Sequence, residues 1–522
     1  MTIGVWWLSA CTDEPPGGTE TGSPLALDVA VTEVAAPLAR RLHLEADAPV
    51  TVRASWTDGE DTVDVAFDDP AAVHDHLLLG FRAGRSYTVT VTATAGDRTA
   101  SDTLPVDTAP LPVHFPRATV SGDGPVEPGH TLLPMRSFQA PDPQDLAVVF
   151  DEEGRIVYWL AVGDVIQDVR EVDGGLLALV GDVGARVVRY DWDGTEVGEW
   201  SAATLGTAIA DDLHHDVIEV EPDHYVALGR TPISVPDYPA SYDDAAATVA
   251  RTVADDVVVE FLADGTVIDE TRLTALLPLR RIGYDSLSTT IEGWADWAHA
   301  NAVLRDTDGS LVVSLRHQDA IVKIDPAAGT GAGAVRWVFG YPENWPAELA
   351  AKRLQPVGPV RWPYHQHGPH LTADRRLLVF DNGNWQAAPY TGDPPIVDPV
   401  LLRSRVAQFT IDEDAGTVRE DWSFDAPDGG TLFSEAVGDA DPLPNGHVLS
   451  SWGFLDRLPD GTSNADAGVG ERSVRVIELD PDAAGGPAQV HELYLWTAAA
   501  DNPHGWTGYR AERIPSLYDQ RP

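Results

Sequence analysis

Residues 173–200 read DGGLLALVGDVGARVVRYDWDGTEVGEW. An Asp-Gly turn at 173–174 leads into the apolar run 175–180, and a second turn, from Asp191 to Gly194, leads into a strand that ends at Trp200. Short apolar runs bounded by Asp/Gly turns are typical of antiparallel β-strands. These residues therefore predict a β-meander, in which consecutive strands pair through tight turns.

The same unit recurs along the rest of the chain. Its hairpin and following strand occur at 151–159, 191–200, 262–270, 325–339, 412–424 and 480–496. A turn and an apolar strand precede them at 128–133, 173–180, 221–228, 308–315, 373–380 and 444–452. Six such units, spaced by roughly 40 to 90 residues, predict a six-bladed β-propeller, with seven blades as the alternative count. The uneven spacing predicts insertions at 231–256, 274–295 and 384–403, and RAERIPSLY (510–518) is expected to close the ring on the first blade.

A smaller domain is predicted before the propeller. Residues 85–93, RSYTVTVTA, alternate polar and apolar positions and are rich in β-branched residues, as in a half-buried strand. This pattern resembles an Ig- or fibronectin-III-like β-sandwich over 25–110, followed by a Pro-rich linker at 111–127 and the propeller at 128–522. The fold class is thus all-β, which agrees with 46 Gly, 40 Pro and 16 Trp in 522 residues.

The charge balance excludes several kinds of partner. The chain has 82 acidic and 35 basic residues, a net charge of −47. Nucleic acid is therefore not an expected partner, and neither is electrostatic docking on anionic lipid. An anionic substrate would need a local cluster of positive groups, because the overall field repels it.

The amino terminus predicts export. Cys11 is the one cysteine, so no intramolecular disulfide, Cys-based metal site or catalytic Cys in the globular part is expected. LSAC (8–11) resembles a bacterial lipobox, although no Lys or Arg precedes it, and a polar Pro/Gly-rich segment follows. We expect residues 1–24 to be a lipoprotein-type signal and tether. The protein would then be exported to the cell envelope, periplasmic or at the cell surface, and would meet the membrane through a lipid on Cys11.

Histidines gather at the starts of the propeller units. The units begin LHHDVIEV (213–220), WAHANAVL (297–304) and YHQHGPHL (364–371), which places His214 or His215, His299 and His367 at one repeat position. Arg316 follows His299 by one strand. The first strand of each blade lines the axial channel, so these side chains are expected to form one site.

Two chemistries suit such a site. An imidazole cluster can hold a metal ion, which would make the protein a metal-dependent hydrolase. Arg316 favours an oxyanion instead, because its planar fork matches tetrahedral oxyanions, and an imidazole can also act as a nucleophile. A non-catalytic propeller lipoprotein that binds an anionic ligand is the third possibility.

Five motifs together resemble the bacterial arylsulfotransferase family over about 128–518. They are HHD (214–216), DWAHAN (296–301), SLRHQDAI (314–321), Gln366-His367 leading into FDNG (380–383), and GDADPLPNGHVL (438–449). The resemblance implies a six-bladed propeller with an Ig-like amino-terminal domain. It also implies transfer of a sulfuryl group from an aryl sulfate to a phenolic acceptor, without the nucleotide donor PAPS and through a sulfohistidine.

Carried over by motif, His367 would be the nucleophile, with His365 and His370 as alternative imidazoles and His365 otherwise expected to bind substrate. His299, Asn301, Arg316 and one of His214 and His215 would hold the sulfate oxygens. The implied reaction needs no cofactor and no metal. Ping-pong kinetics would follow from the two transfers, and the enzyme would be a sulfatase if water took the sulfuryl group.

Overall fold

Antiparallel β-sheets make up nearly all the regular structure in the computed structural model, which describes residues 24–137, 145–327, 333–425 and 432–518. The chain forms two compact units. The first contains the described residues up to Thr32 together with Leu42–His76 and Ser86–Asp107, and the second contains Glu33–Arg41, Leu77–Arg85 and the chain from Thr108 onward. Cys11 and nearly all of the predicted signal and tether lie outside the described residues.

One five-stranded sheet dominates the first unit. Its strands are Leu27–Glu33, Arg40–Thr57, Thr62–Leu78, Ser86–Ala95 and Arg98–Asp107. Burial alternates along Ser86–Ala95, where Tyr87, Val89 and Val91 point inward, as the polar/apolar alternation predicts. The likeness to an Ig or fibronectin-III domain stays a prediction.

Six sheets of the second unit form the blades of a propeller, which confirms the predicted architecture. Blade 1 has His130–Arg136, Asp145–Phe150 and Ile156–Ala161; blade 2 has Ile166–Val172, Gly175–Val180, Arg186–Asp191 and Glu196–Ser201; blade 3 has Asp212–Glu221, His224–Pro239, Thr248–Leu262 and Val267–Arg272. Blade 4 has Ala300–Arg305, Leu311–Leu315, Ala320–Asp325 and Ala334–Gly340; blade 5 has His367–Leu371, Arg376–Asp381, Arg405–Asp412 and Thr417–Phe424; blade 6 has Asp439–Pro442, Val448–Leu455, Ser473–Asp480 and Ala488–Trp496. Short strands at Thr290–Ile291 and Trp294–Asp296 extend blade 3, and Gln355–Pro356 extends blade 5.

The two ends of the propeller unit close the ring. Thr507–Gly508 and Glu512–Ile514 both pair with His130–Arg136, so the carboxy-terminal segment supplies the inner strand of blade 1, as predicted for 510–518. Arg117–Ser121, which lies within the predicted linker, pairs with Ala488–Trp496 at the outer edge of blade 6. The first strands of neighbouring blades contact one another around the axis, and this ring positions the histidines.

The turns and runs quoted from the sequence explain why these strands form. Gly194 in the 191–194 turn has φ 87°, a conformation that glycine adopts without steric cost. The run Gly175–Val180 is buried along its whole length, because the second strand of a blade packs against the neighbouring blades on both faces. Apolar burial between blades is thus the main stabilising contribution.

A buried ammonium joins blades 4 and 5. Lys323 Nζ lies 2.5 Å from Asp306 Oδ2, 2.9 Å from Asp308 Oδ2 and 2.9 Å from Glu413 Oε1. The turn at 306–309, with its closely spaced carboxylates, therefore holds the cation of a lysine side chain.

Helices are few and short. They are the α-helices Ala202–Leu205 and Ala347–Ala350 and the 3₁₀ helices Leu273–Ala275, Arg316–Gln318 and Pro399–Leu401. Within the described ranges, no helix combines the length and the apolar character needed to cross a bilayer. Arg316–Gln318 is the one that matters for the site.

Candidate active site

Three imidazoles lie near the starts of inner strands, in the left-handed backbone region. The φ angle is 60° at His215, 51° at His299 and 54° at His365. Pairing between the first and second strands of blades 3, 4 and 5 is irregular beside them, as in β-bulges. The bulges bring side chains of different blades together: the ring centres of His215 and His299 are 4.6 Å apart.

The tautomer of His367 is set by Asn382. His367 Nδ1 lies 2.7 Å from Asn382 Oδ1. The amide of Asn382 donates to the carbonyl oxygens of Ser434, at 2.9 Å, and Val437, at 2.8 Å, so its oxygen must face the imidazole. Nδ1 therefore carries the proton and Nε2 keeps its lone pair, toward which the Val437 N–H points at 3.3 Å.

His367 is held in its neutral form. Burial lowers its pKa well below the ordinary histidine value, and the charge of Arg316 lowers it further, although the hydrogen bond with Asn382 opposes this. Only the neutral imidazole has a lone pair to donate. The environment of His367 thus suits a nucleophile at neutral pH.

Arg316 is a buried guanidinium with a donor to spare. It lies in the turn after the second strand of blade 4 and is 8% exposed. Nη1 donates to His317 Nε2 at 2.7 Å, and Nη2 donates to the Glu435 carbonyl at 3.4 Å. Nε has no hydrogen-bond partner among the described residues. A buried donor without an acceptor is costly, and because this one belongs to the histidine cluster it is available to an anionic ligand there.

His299 forms a pair with Asp296. Its Nδ1 lies 2.5 Å from Asp296 Oδ2, which places the proton on Nδ1 and leaves Nε2 to face the cluster. Burial and then the charge of Arg316 lower the pKa of His299 well below its ordinary value. The lowered pKa keeps His299 neutral and makes it a weak base, while the contact with Asp296 leaves its Nε2 lone pair available to accept a proton and would stabilise the imidazolium that results.

The structure distinguishes His215 from His214. His214 Nε2 faces the Gly229 carbonyl at 3.0 Å and Asp256 Oδ1 at 3.2 Å, so it carries a proton directed away from the site. His214 Nδ1 then accepts from His215 Nδ1 at 2.8 Å. This leaves His215 Nε2 as the free imidazole nitrogen, and His215 lines a cavity while His214 is buried behind it.

The side chains of His365 and Asn301 contact other protein groups rather than the site. His365 Nδ1 lies 2.8 Å from Asp319 Oδ1 and its Nε2 lies 3.3 Å from Asp285 Oδ2, so two carboxylates hold the ring. This favours His367 over His365 as the nucleophile. Asn301 Nδ2 donates to the Gln366 carbonyl at 2.8 Å, which leaves an acceptor oxygen that a sulfate would not bind.

Two cavities adjoin the histidine cluster. A cavity of about 190 Å³ is lined by His215, Gln167, Val437, Phe454, Tyr509 and Arg136. A second cavity, of about 230 Å³, shares Phe454 as a wall with the first and is lined largely by apolar side chains, including Trp385. The first borders His367 through Val437, whose N–H points at His367 Nε2.

A metal ion is disfavoured by the arrangement of donors. Asp285, His317 and His365 could offer converging ligand atoms, and so could Asp296 and His299 with the same His317. Yet His317 uses Nδ1 on the Asp296 carbonyl at 2.8 Å and Nε2 on Arg316. A dication would have to displace a guanidinium and then lie beside its charge.

Comparison with known proteins identifies the family. The sequence model of the arylsulfotransferase (ASST) family matches residues 126–485, more than half of the chain. The chain belongs to the arylsulfotransferase family. Two arylsulfate sulfotransferases AssT are similar over 157 residues, one from Escherichia coli at 29% identity and one from Lelliottia amnigena at 31%. The similarity covers 27% of this chain and 24% of each relative, so it spans about a quarter of their length.

Solved structures add little to the strand pairing described above. The superposition with a hypothetical selenium-binding protein from Sulfolobus tokodaii covers 90% of this arylsulfotransferase-family chain and 94% of that protein. The sequence identity is 9% and the TM-score is 0.39. At that score the likeness supports no argument.

The structure also shows residues that orient the candidate side chains and that were not predicted from the sequence. His317 orients Arg316, Asp296 orients His299, and Asn382 orients His367. All three lie within motifs that the sequence reading quoted, so a search for polar neighbours of the candidate residues would have found them. Asp285 and Tyr509 carried no such signal, because they reach the cluster from distant segments.

Proposed function

We propose that this protein transfers a sulfuryl group from an aryl sulfate ester to a phenol, without PAPS, through a sulfohistidine at His367. One observation supports this above the others. The Nε2 lone pair of a neutral, buried imidazole lies in the same cluster as a buried guanidinium whose Nε–H lacks a partner. A nucleophile beside an oxyanion site is what sulfuryl transfer to a protein group requires.

In the first half-reaction, His367 Nε2 attacks the sulfur in line. The N–S bond forms, the S–O bond to the aryl group breaks, and the electron pair leaves with the phenolate oxygen. The buried Nε–H of Arg316 binds a sulfuryl oxygen as charge redistributes on it, whereas the free Nε2 of neutral His215 is an acceptor and can take a hydrogen bond from the acceptor phenol. Phenols have a pKa near 10, so the leaving phenolate needs only modest help from a proton donor.

In the second half-reaction, the acceptor phenol attacks the sulfur of sulfo-His367. The new S–O bond forms, the N–S bond breaks, and its electron pair returns to Nε2. His299 Nε2 takes the phenol proton, and the resulting imidazolium is balanced by Asp296. The same proton then goes to the next leaving phenolate, so protons balance over the cycle and ping-pong kinetics follow.

The test uses 4-nitrophenyl sulfate with and without phenol and in the absence of PAPS. We expect nitrophenolate release that rises with phenol, a gain of one sulfuryl group in the intact mass of the protein without acceptor, and loss of both in His367→Ala. His370→Ala is the matched control, because His370 is three residues away on the same strand and its side chain is 43% exposed. Release independent of phenol would identify a sulfatase. Full activity in His367→Ala would refute the mechanism.

We also propose that the protein is an exported lipoprotein anchored through Cys11. The support is the LSAC motif at 8–11 and the polar Pro/Gly-rich segment after it. Labelling with radioactive palmitate in a bacterial host should mark the full chain and should not mark Cys11→Ser. Equal labelling of the two proteins would refute the anchor.

A further inference from the structure

The second cavity beside the cluster is an apolar pocket, here called the Trp385 pocket. Its walls are Trp385, Ile396, Pro399, Leu402, Phe433 and Phe454. Its volume is about 230 Å³, below the range of drug-sized ligands, which suits a substituted benzene ring. Val397, 70% exposed, adds apolar surface at the mouth.

Hydrogen bonds tie this pocket to Arg316. Asn384, which lines the pocket, donates to the Glu435 carbonyl at 3.0 Å, the same oxygen that Arg316 Nη2 reaches at 3.4 Å. Trp385 Nε1 donates to Asp285 Oδ2 at 3.2 Å, and Arg316 Nη1 lies 3.7 Å from that oxygen. An aryl ring in the pocket would therefore lie next to a sulfuryl group held by Arg316.

The charged groups at the pocket are carboxylates. Glu435 and Asp456 line it and are exposed, and its described lining includes no Lys, Arg or His. Three arginines lie nearby: Arg472 stacks on Phe454 at 4.3 Å from the ring centre, Arg457 Nε is 4.0 Å from Asp456, and Arg316 reaches the Glu435 carbonyl. These cations partly offset both carboxylates. The charged groups that the described lining presents to a ligand at the mouth are nevertheless the two carboxylates.

We propose that the Trp385 pocket binds the ring of the acceptor phenol, and that Glu435 and Asp456 select acceptors bearing a cationic amine over acceptors bearing a carboxylate. This inference rests on the proposed sulfuryl transfer and names its acceptor class. The pocket supplies apolar contact for the ring, and the carboxylates act on the substituent that points outward. Because both carboxylates are exposed, each should change the preference only about threefold, and added salt should weaken it.

The experiment compares three acceptors of similar shape, with 4-nitrophenyl sulfate as donor and the full chain as enzyme. Tyramine is cationic, 4-ethylphenol is neutral and 3-(4-hydroxyphenyl)propionate is anionic. In ping-pong kinetics, kcat/KM for the acceptor reports only its reaction with the sulfo-enzyme, so donor binding does not enter. We expect kcat/KM for tyramine to exceed that for the anionic phenol about tenfold at low ionic strength.

Substitutions separate the local carboxylates from the charge of the whole protein. Glu435→Gln and Asp456→Asn should each lower the tyramine preference about threefold, and the double variant should lower it most. The preference is measured in each protein as the ratio of kcat/KM for tyramine to kcat/KM for the anionic phenol, so a general change in rate cancels. Asp173→Asn is the control, because Asp173 is an exposed acid in the turn between the first two strands of blade 2, and it should change neither the preference nor the use of 4-ethylphenol.

A pocket-filling variant tests the position of the ring. Ile396→Trp should lower kcat/KM for 4-ethylphenol about tenfold, while slow hydrolysis of the sulfo-enzyme by water stays unchanged, because water needs no pocket. Equal use of the three acceptors by the native chain, or an unchanged preference in the double variant, would overturn the selection. Unchanged use of 4-ethylphenol by Ile396→Trp would overturn the position of the ring. No turnover of 4-ethylphenol by the native chain would instead refute sulfuryl transfer itself.

Discussion

Replacing Arg316 with lysine tests the role of its spare donor. The guanidinium uses one N–H on His317 and one on the Glu435 carbonyl, and its buried Nε–H, without a partner among the described residues, is the donor that the proposed mechanism assigns to the sulfuryl group. Lysine keeps the charge, but a single ammonium cannot reach all three acceptors. Loss of one donor aimed at developing charge costs about 2.7–4 kcal/mol, a factor of roughly 10²–10³ in rate. We therefore expect Arg316→Lys to slow the first half-reaction about 10²–10³-fold. The affinity for the aryl sulfate should change much less.

Stopped-flow measurement of the nitrophenolate burst, with 4-nitrophenyl sulfate and no acceptor, isolates this step. Arg281→Lys is the matched control, because Arg281 is also buried and also has an unpartnered Nε, yet it donates to Gln318 and stacks on Trp345 instead of facing the histidines. It should lose stability and keep its burst rate within about threefold. A burst in Arg316→Lys within fivefold of the native rate would refute the assignment of Nε to the sulfuryl group.

Three further predictions follow from the contacts described above. Because burial and Arg316 lower the pKa of His367, the burst rate should stay flat from about pH 8 to pH 6 and decline only under more acidic conditions; a midpoint near the ordinary value of about 6.5 would contradict this. Lys323→Met leaves clustered carboxylates without their ammonium, so urea titration should show a loss of about 3 kcal/mol with the burst rate unchanged. Dialysis against a chelator should leave turnover intact, since Arg316 occupies His317 Nε2; lost activity restored by one metal ion would favour a hydrolase.

The propeller could be predicted from the sequence because each blade is built locally. Turns such as 191–194 and buried runs such as Gly175–Val180 carry their own signal, and pairing between consecutive strands follows from short connections. Arg117–Ser121 could not be predicted in this way. Its partner, Ala488–Trp496, lies at the other end of the chain, so the prolines around it indicated a linker while the structure shows an edge strand.

The candidate site was predicted as a set of residues but not as a set of protonation states. Repetition correctly brought a histidine of each of blades 3, 4 and 5 to the axis, but the shared positive φ of His215, His299 and His365 makes His365, rather than the predicted His367, the equivalent of His299. The choice between His214 and His215 depends on the Gly229 carbonyl, which belongs to a different strand and has no sequence signature. Trp385 and Asp285 come from segments that the sequence reading treated only as insertions, because nothing local shows that they fold back toward Arg316.

Backbone strain supports a chemical role for these histidines independently of family membership. A non-glycine residue in the left-handed region costs of the order of 1–3 kcal/mol. In several hairpins the residue with a positive φ is glycine, as at Gly194 and Gly265, although Asp223 and Arg375 adopt it in the first hairpins of blades 3 and 5. At the inner strands of three successive blades the same region is occupied by His215, His299 and His365 instead. Glycine would adopt this conformation at lower cost, so three imidazoles in it on successive blades agree with a role for their rings: those of His215 and His299 lie against each other, and that of His365 lies between Asp319 and Asp285, the second of which also flanks Arg316.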